Sequence, residues 1–329
     1  MSITILTEED IRQCVSLDLD VINEVAEGFS KLAAQEATLP PILRIDVPEK
    51  HGEVDVKTAY LHGFDSFAIK IAAGFYDNHL LGLPSSSGMM VLVSAETGRP
   101  IGVLLDNGYL TEVRTGAAGA IAAQHLAPKQ VDTVGVIGSG MQARFQMRAL
   151  KLVRDFQRLA VYGIDPDQVK RYASEMESEL GVEIIQVDKP QELVRMSAVV
   201  VTTTPSHEPI LQADWLHPGL HITCMGADSE DKQEVYTDVF TRADHIVCDS
   251  KTQCFRLGEL HHAIEDGVIS PQDEIVELGD LTSGLKTGRS NAEEITICDL
   301  TGVGVQDTQI ARLAYRKAVD KGLGFTIED

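Results

Sequence analysis

Long apolar runs, an excess of positive charge and paired cysteines are all missing from this chain. It has no stretch of about 18 consecutive apolar residues, so no membrane-spanning helix is expected. Lys and Arg number 28 against 50 Asp and Glu, a formal net charge of −22. Such a surface repels phosphate backbones and anionic lipid, so neither nucleic acid nor a membrane is an expected partner. The five cysteines (Cys14, Cys224, Cys248, Cys254 and Cys298) are odd in number and form no C-x-x-C pair. That pattern predicts reduced thiols, a cytoplasmic setting and no metal site. His261 and His262, after Glu259, read as helix residues. The opening MSITILTEEDIRQ lacks both a basic and a long apolar segment, so no secretory signal is expected. Internal repeats, low-complexity tracts and long linkers are also missing.

What is present is a chain of 329 residues, 43% hydrophobic and 24% charged, a length suited to two domains. Thr7-Glu8-Glu9-Asp10 looks like a helix start, and Val21, Val25, Phe29 and Leu32 share one helical face before Pro40-Pro41. Residues 42–115 read as strands and turns: residues 67–72 are strand-like and 82–88 form a polar loop. Residues 89–95 and 100–105 make a hairpin. From residue 115 the pattern changes. An Ala-rich helix to residue 126 is followed by alternating strands and helices, which implies a parallel sheet covered on both faces. The expected fold is α/β: a Rossmann-type doubly wound parallel sheet in residues 121–307, and an α+β domain for substrate binding and dimerisation in 1–120. A C-terminal helix in 308–329 returns to the first domain.

The densest signal is Thr133-Val134-Gly135-Val136-Ile137 followed by Gly138-Ser139-Gly140-Met141-Gln142-Ala143, a strand running into a G-x-G-x-x-A loop and a helix. Gly138 permits a tight turn, Gly140 lets a pyrophosphate approach the backbone, and Ala143 lets helix and strand pack closely. The helix N-terminus then offers its N–H groups to the anion. Gly138, Ser139, Gly140, Met141 and Gln142 are therefore the expected dinucleotide contacts. At the end of the second strand stands Tyr162-Gly163-Ile164-Asp165, with no cation before Lys170. Asp165 without a neighbouring guanidinium favours NADH, with NADP as the alternative; its other reading is a helix cap. Thr202, Thr203 and Thr204 end another strand and are expected beside the cofactor. Gly302, Val303 and Gly304 are expected near its nicotinamide half.

Several further stretches carry a resemblance: Pro40-Pro41-Ile42-Leu43-Arg44, Ala68-Ile69-Lys70, Leu110-Thr111-Glu112-Val113-Arg114-Thr115-Gly116, Met225-Gly226-Ala227-Asp228, Gly258-Glu259-Leu260 and Gly302-Val303-Gly304-Val305-Gln306-Asp307. With the glycine loop they occur in the order found in the ornithine cyclodeaminase/mu-crystallin family, which the chain resembles over essentially its full length. The resemblance implies a homodimer built through the first domain. It also implies a substrate carboxylate held by Arg44, Lys70 and Arg114, with Asp228 beside the reacting carbon. Those residue types suit a carboxylate, being two guanidinium forks and an ammonium in an otherwise anionic protein. Lys70, inside an apolar strand, needs an anion on any reading. Asp228 follows a strand and otherwise reads as the cap of a helical segment near residues 230–235.

Within that family the chain is similar to the imine reductase branch that includes iminosuccinate reductase. The expected activity is NADH-dependent reduction of a small anionic imino acid, with iminosuccinate to aspartate as the leading case. Lys70 and Asp228 are the expected catalytic pair, with Ser85, Ser86 and Ser87 holding a second carboxylate. A cyclodeaminase is the alternative, with Glu53 and Asp55 as acids for a distal amine. A crystallin-like binding protein without turnover is the third reading.

Overall fold

The computed structural model describes residues 2–328. In chain order it opens with β1 (Ser2–Thr7), α1 (Glu8–Arg12), α2 (Leu19–Ala33), β2 (Ala37–Thr38), β3 (Leu43–Val47), β4 (Gly52–Leu61), β5 (Ser66–Phe75), β6 (Ser86–Ser94), β7 (Pro100–Leu105) and α3 (Tyr109–Leu126). An alternating series follows: β8 (Thr133–Ile137), α4 (Met141–Val153), β9 (Arg158–Tyr162), α5 (Pro166–Leu180), β10 (Glu183–Gln186), α6 (Pro190–Met196), β11 (Val199–Thr202) and β12 (His221–Cys224). The chain continues through β13 (His245–Cys248), α7 (Lys251–Cys254), α8 (Gly258–Glu265), β14 (Ile275–Glu277), α9 (Leu278–Thr282) and β15 (Thr296–Asp299). It ends in α10 (Gly304–Asp320) and β16 (Phe325–Glu328).

Two compact units result, Met1–Arg114 with Val303–Asp329, and Thr115–Gly302. The divisions fall a few residues before the expected 120 and 307. The first lies at residue 115, where the Ala-rich stretch begins, inside helix α3, which runs unbroken across it. The second precedes α10, which starts at Gly304 rather than at 308 because Val303 N–H donates to Gln306 Oε1 at 2.9 Å and closes the first turn.

In the first unit one eight-stranded sheet runs β16-β1-β7-β6-β5-β4-β2, with β3 also on β4. It is mixed rather than purely antiparallel, since β1 and β7 are parallel. Period-two alternation gives it two different faces. The register aligns Lys57, Lys70, Met90 and Leu104 across β4, β5, β6 and β7, and all four side chains are buried. Helix α10 lies over this face: Thr308 Oγ1 donates to Ala59 O at 2.7 Å and accepts from Ala68 N at 3.1 Å. A Cβ on Gly304 would stand 2.3 Å from Thr58 O, so only glycine lets the helix start this close to β4. The polar loop at 82–88 is shorter than expected. Ser86 and Ser87 pair with Gly74 and Ala73 and open β6.

The second unit holds an eight-stranded, all-parallel sheet in the order β10-β9-β8-β11-β12-β15-β13-β14. The chain winds outward from β8 through β9 to β10, then restarts at β11 on the other side. The crossing point between β8 and β11 is where doubly wound sheets take ligands, at the carboxyl ends of the strands. Strands β8, β11 and β12 are buried throughout, which is why β8 and β11 read as largely apolar runs. No helix among the described residues is long and apolar enough to cross a membrane.

Candidate active site

The glycine loop leaves β8 as expected. Gly138 has φ +112°, and a Cβ there would meet Thr203 Oγ1 at 2.4 Å, so the loops after β8 and β11 touch at the crossing point. Nothing lies within 4 Å of a Cβ placed on Gly140, which leaves open space beside the backbone. Helix α4 begins there with no side-chain cap and no acid in its first turn, so its leading N–H groups have no competing carboxylate from that turn. Arg144 reaches back to the Ser139 and Gly140 carbonyls at 2.7 and 2.9 Å, holding them away from that space. Ala143 is fully buried with Val134, Val136 and Val161. Ser139 backs onto Gly163, whose Cβ would stand 3.2 Å from Ser139 Oγ. Met141 is exposed and Gln142 half-buried at the helix start. These features fit a dinucleotide pyrophosphate: a cradle without side chains, a positive helix dipole and no acid in the first turn.

Asp165 caps a helix, the second of the two roles expected of it. Its Oδ1 caps α5 through the Asp167 and Gln168 N–H groups at 2.9 and 3.2 Å, and its Oδ2 takes the Gln168 amide at 3.0 Å. Those hydrogen bonds hold its carboxyl below the ordinary value. Of the three threonines, Thr202 is fully buried and donates to Glu234 Oε2 at 2.6 Å, and Thr204 also donates to Glu234. Thr203 donates to Ile137 O at 3.1 Å and borders the glycine loop. Gly302 N–H is held by Asp249 Oδ2 at 2.6 Å, Val303 is fully buried, and Gly304 is accounted for by packing on β4.

Asp228 stands two residues beyond Gly226 on the loop after β12. The expected helical segment at 230–235 does not form, so Asp228 has no helix to cap. Instead Lys232 Nζ, almost completely buried, donates to its Oδ1 at 2.8 Å.

In the first unit Lys70 and Arg114 come together around a residue that reasoning by residue type overlooks. Lys70 Nζ lies 3.1 Å and Arg114 Nε 3.0 Å from the same oxygen, Oδ1 of fully buried Asp307 in the first turn of α10. Gln306 Oε1 faces Arg114 at 3.4 Å. Lys57, nearly buried, is directly opposite Lys70 in the register. Burial, then the Arg114 charge, pulls the Lys70 ammonium down to about 7, against the attraction of Asp307. Arg44 shares this sheet, opposite Asp55 in the register of β3 and β4. Its guanidinium is engaged by Asp46 at 2.8 Å, by Glu53 and, at 4.0 Å, by Asp55. Ser85, Ser86 and Ser87 are exposed, and Ser86 Oγ faces the Glu112 carboxylate at 3.4 Å. His261 and His262 are helical, in α8. With Glu265 they offer ligand atoms within 4.8 Å of one another, and His262 Nε2 donates to Lys232 O.

Residue type alone singles out the cations. Asp307 carries no such signal, because it meets Lys70 and Arg114 only through the return of α10. Glu234 and Lys232 carry no local signal, because their partners lie on other loops.

A family model, that of the ornithine cyclodeaminase/mu-crystallin family, matches residues 1–322. The chain belongs to this family. An uncharacterised cyclodeaminase of Sinorhizobium fredii is 49% identical over 98% of both chains. The iminosuccinate reductase of Paracoccus denitrificans is 33% identical over 91% of this chain and 92% of its own. Its solved structure, with NAD⁺, superposes over 100% of each chain with a TM-score of 0.91 and 28% identity. The Thermococcus litoralis Δ1-pyrroline-2-carboxylate reductase, solved with NADH and L-proline, superposes with a TM-score of 0.94 and 30% identity, covering 99% of this chain and 100% of its own.

Proposed function

We propose that the protein is an NAD-dependent oxidoreductase that reduces the C=N bond of a small α-imino acid to the amino acid, with iminosuccinate to aspartate as the reaction to test first. The observation that carries this reading is the pair of buried cations, Lys70 and Arg114, on a single carboxylate oxygen of Asp307. Lys70 and Arg114 face one carboxylate oxygen of Asp307 in a buried setting, where a substrate carboxylate would be a further counter-charge for them. Its relatives include imine reductases, which agrees with this chemistry.

Gly138, Ser139, Gly140, Met141 and Gln142 would hold the cofactor's pyrophosphate. When bound, that cofactor supplies the hydride for the imine carbon. Arg114 orients the carboxylate with its fork, a proximity effect. Lys70 holds a proton near neutrality and gives it to the substrate. Asp228, held by Lys232, accepts from the substrate nitrogen and fixes its direction. NADH is preferred over NADPH, because the first cation after β9, Lys170, is exposed and lies 3.6 Å from Asp167. Glu53 and Asp55 are already committed to Arg44, which disfavours the cyclodeaminase alternative, where a free acid must receive a distal amine.

The outer face of the first sheet supports a homodimer. The register aligns Leu43, Val56, Ile71 and Met89 in one row, and Ile69, Val91, Val103, Ile5 and Phe325 in the next, all half-buried or exposed. A continuous apolar sheet face of this kind is covered by a second copy.

The test is NADH oxidation by the purified enzyme with oxaloacetate, pyruvate or a cyclic ketimine, each with ammonia where needed. Oxidation with oxaloacetate plus ammonia is expected. Ammonia release from ornithine on catalytic NAD⁺, without net NADH oxidation on any of these, would overturn the reading.

A further inference from the structure

Glu234 is fully buried in the second unit, and hydroxyl and backbone N–H groups face its carboxylate. Four donors converge on it. Oε1 accepts from the Thr204 N–H at 2.5 Å and the Thr204 hydroxyl at 2.8 Å. Oε2 accepts from the Thr202 hydroxyl at 2.6 Å and the Gly226 N–H at 2.7 Å. One oxygen therefore serves the loop after β11 alone, and the other joins that strand's end to the loop after β12. The fit is tight: a Cβ on Gly226 would stand 2.2 Å from Thr204 O and 2.6 Å from Glu234 Cδ. Glu234 is itself anchored. Its N–H and that of Val235 donate to buried Glu259 at 2.8 and 3.1 Å, and Asp299 receives Leu260 N–H at 3.0 Å. Burial raises the Glu234 carboxyl above its ordinary value, against the pull of these hydrogen bonds.

We propose that Glu234 is a positioning residue, a single side chain that locks the Thr202–Thr203–Thr204 loop to the Gly226–Ala227–Asp228 loop and so sets where Thr203 and Asp228 stand. The proposal rests on the dinucleotide-binding reading of the second unit and adds to it the part that orders the strand ends beyond the glycine loop. A glutamine cannot replace the carboxylate here. Whichever way the amide turns, its NH₂ faces a backbone N–H, of Thr204 or of Gly226, that the carboxylate now accepts.

Glu234→Gln and wild type are compared by amide hydrogen exchange without nucleotide, and by titration with NADH and with ADP-ribose, which carries the pyrophosphate but no nicotinamide. Faster exchange confined to residues 202–206 and 225–229 is expected. NADH should bind about tenfold more weakly, while ADP-ribose changes by less than about threefold. Unchanged exchange in both loops overturns the proposal, as does equal weakening of both nucleotides. If wild type binds neither nucleotide, the dinucleotide reading fails, and the exchange measurement still decides the lock. If Glu234→Gln does not fold, Thr204→Val, which removes one donor and no charge, decides by the same two readouts. Smaller changes in the same direction support the lock, and no change overturns it.

Discussion

In the proposed reaction Lys70 is the proton source, and its neighbours set how readily it holds that proton. A lysine brought to about 7 by burial and by Arg114, and held up by Asp307, is still protonated just below neutrality. If it gives the proton, kcat/KM falls as pH rises through about 7, and Lys70→Met loses that limb together with roughly 10²-fold in kcat. The stability profile carries the same residue with a defined sign. The folded-state value lies below the ordinary 10.5, so between about 7 and 10.5 the unfolded chain binds the extra proton. Stability therefore gains from this group as pH rises across that window, and Lys70→Met should flatten the gain in a urea titration. Asp307→Asn should do the opposite damage. It leaves Lys70 and Arg114 buried without their anion and should cost about 3–5 kcal/mol of unfolding free energy. An Asp307→Asn protein as stable as wild type would mean that the three side chains do not form the ion cluster described above.

At the scale of elements, two glycines with the same sequence-level reading separate cleanly. Gly140→Ala meets nothing and should leave the melting temperature unchanged while weakening NADH binding. Gly304→Ala meets the Thr58 carbonyl and should destabilise the fold through a displaced α10. Equal effects on melting temperature would refute the packing argument for Gly304. The strand–turn–helix of the glycine loop was legible because every determinant is local: an apolar run, glycines at fixed offsets, a helix start. Strands β1, β14 and β16 were not: β14 and β16 are short, and β1 and β16 pair with each other from opposite ends of the chain. The helix expected at 230–235 fails for a physical reason: the N–H groups of Glu234 and Val235 are taken by the Glu259 carboxylate instead of by preceding carbonyls. Asp165 shows the converse, a residue whose capping role was legible because its own helix lies one residue away.

The whole molecule makes a prediction about assembly. The outward row through Leu43, Val56, Ile71 and Met89 should be covered by a second copy, giving a light-scattering mass about twice the 35.8 kDa of the chain. Ile71→Lys should shift that mass toward a monomer. A wild-type monomer at micromolar concentration would remove the sheet-face interface. The two-unit plan was legible from the change of pattern near residue 115, and the cationic residues were legible from type. Their counter-charges were not, because Asp307 is joined to Lys70 and Arg114 only by the return of α10.

That return has a consequence for how the protein is made. One unit is assembled from both ends of the chain and the other lies between them in sequence. The parallel-sheet unit is complete in a chain that ends at residue 302, so it can fold without the segment that follows. The other unit must wait for its last helix and strand. Until then its open sheet exposes Lys70 without the Asp307 carboxylate that faces it in the complete unit. A chain truncated after residue 302 should therefore present a folded second unit and a protease-sensitive, chaperone-binding first one.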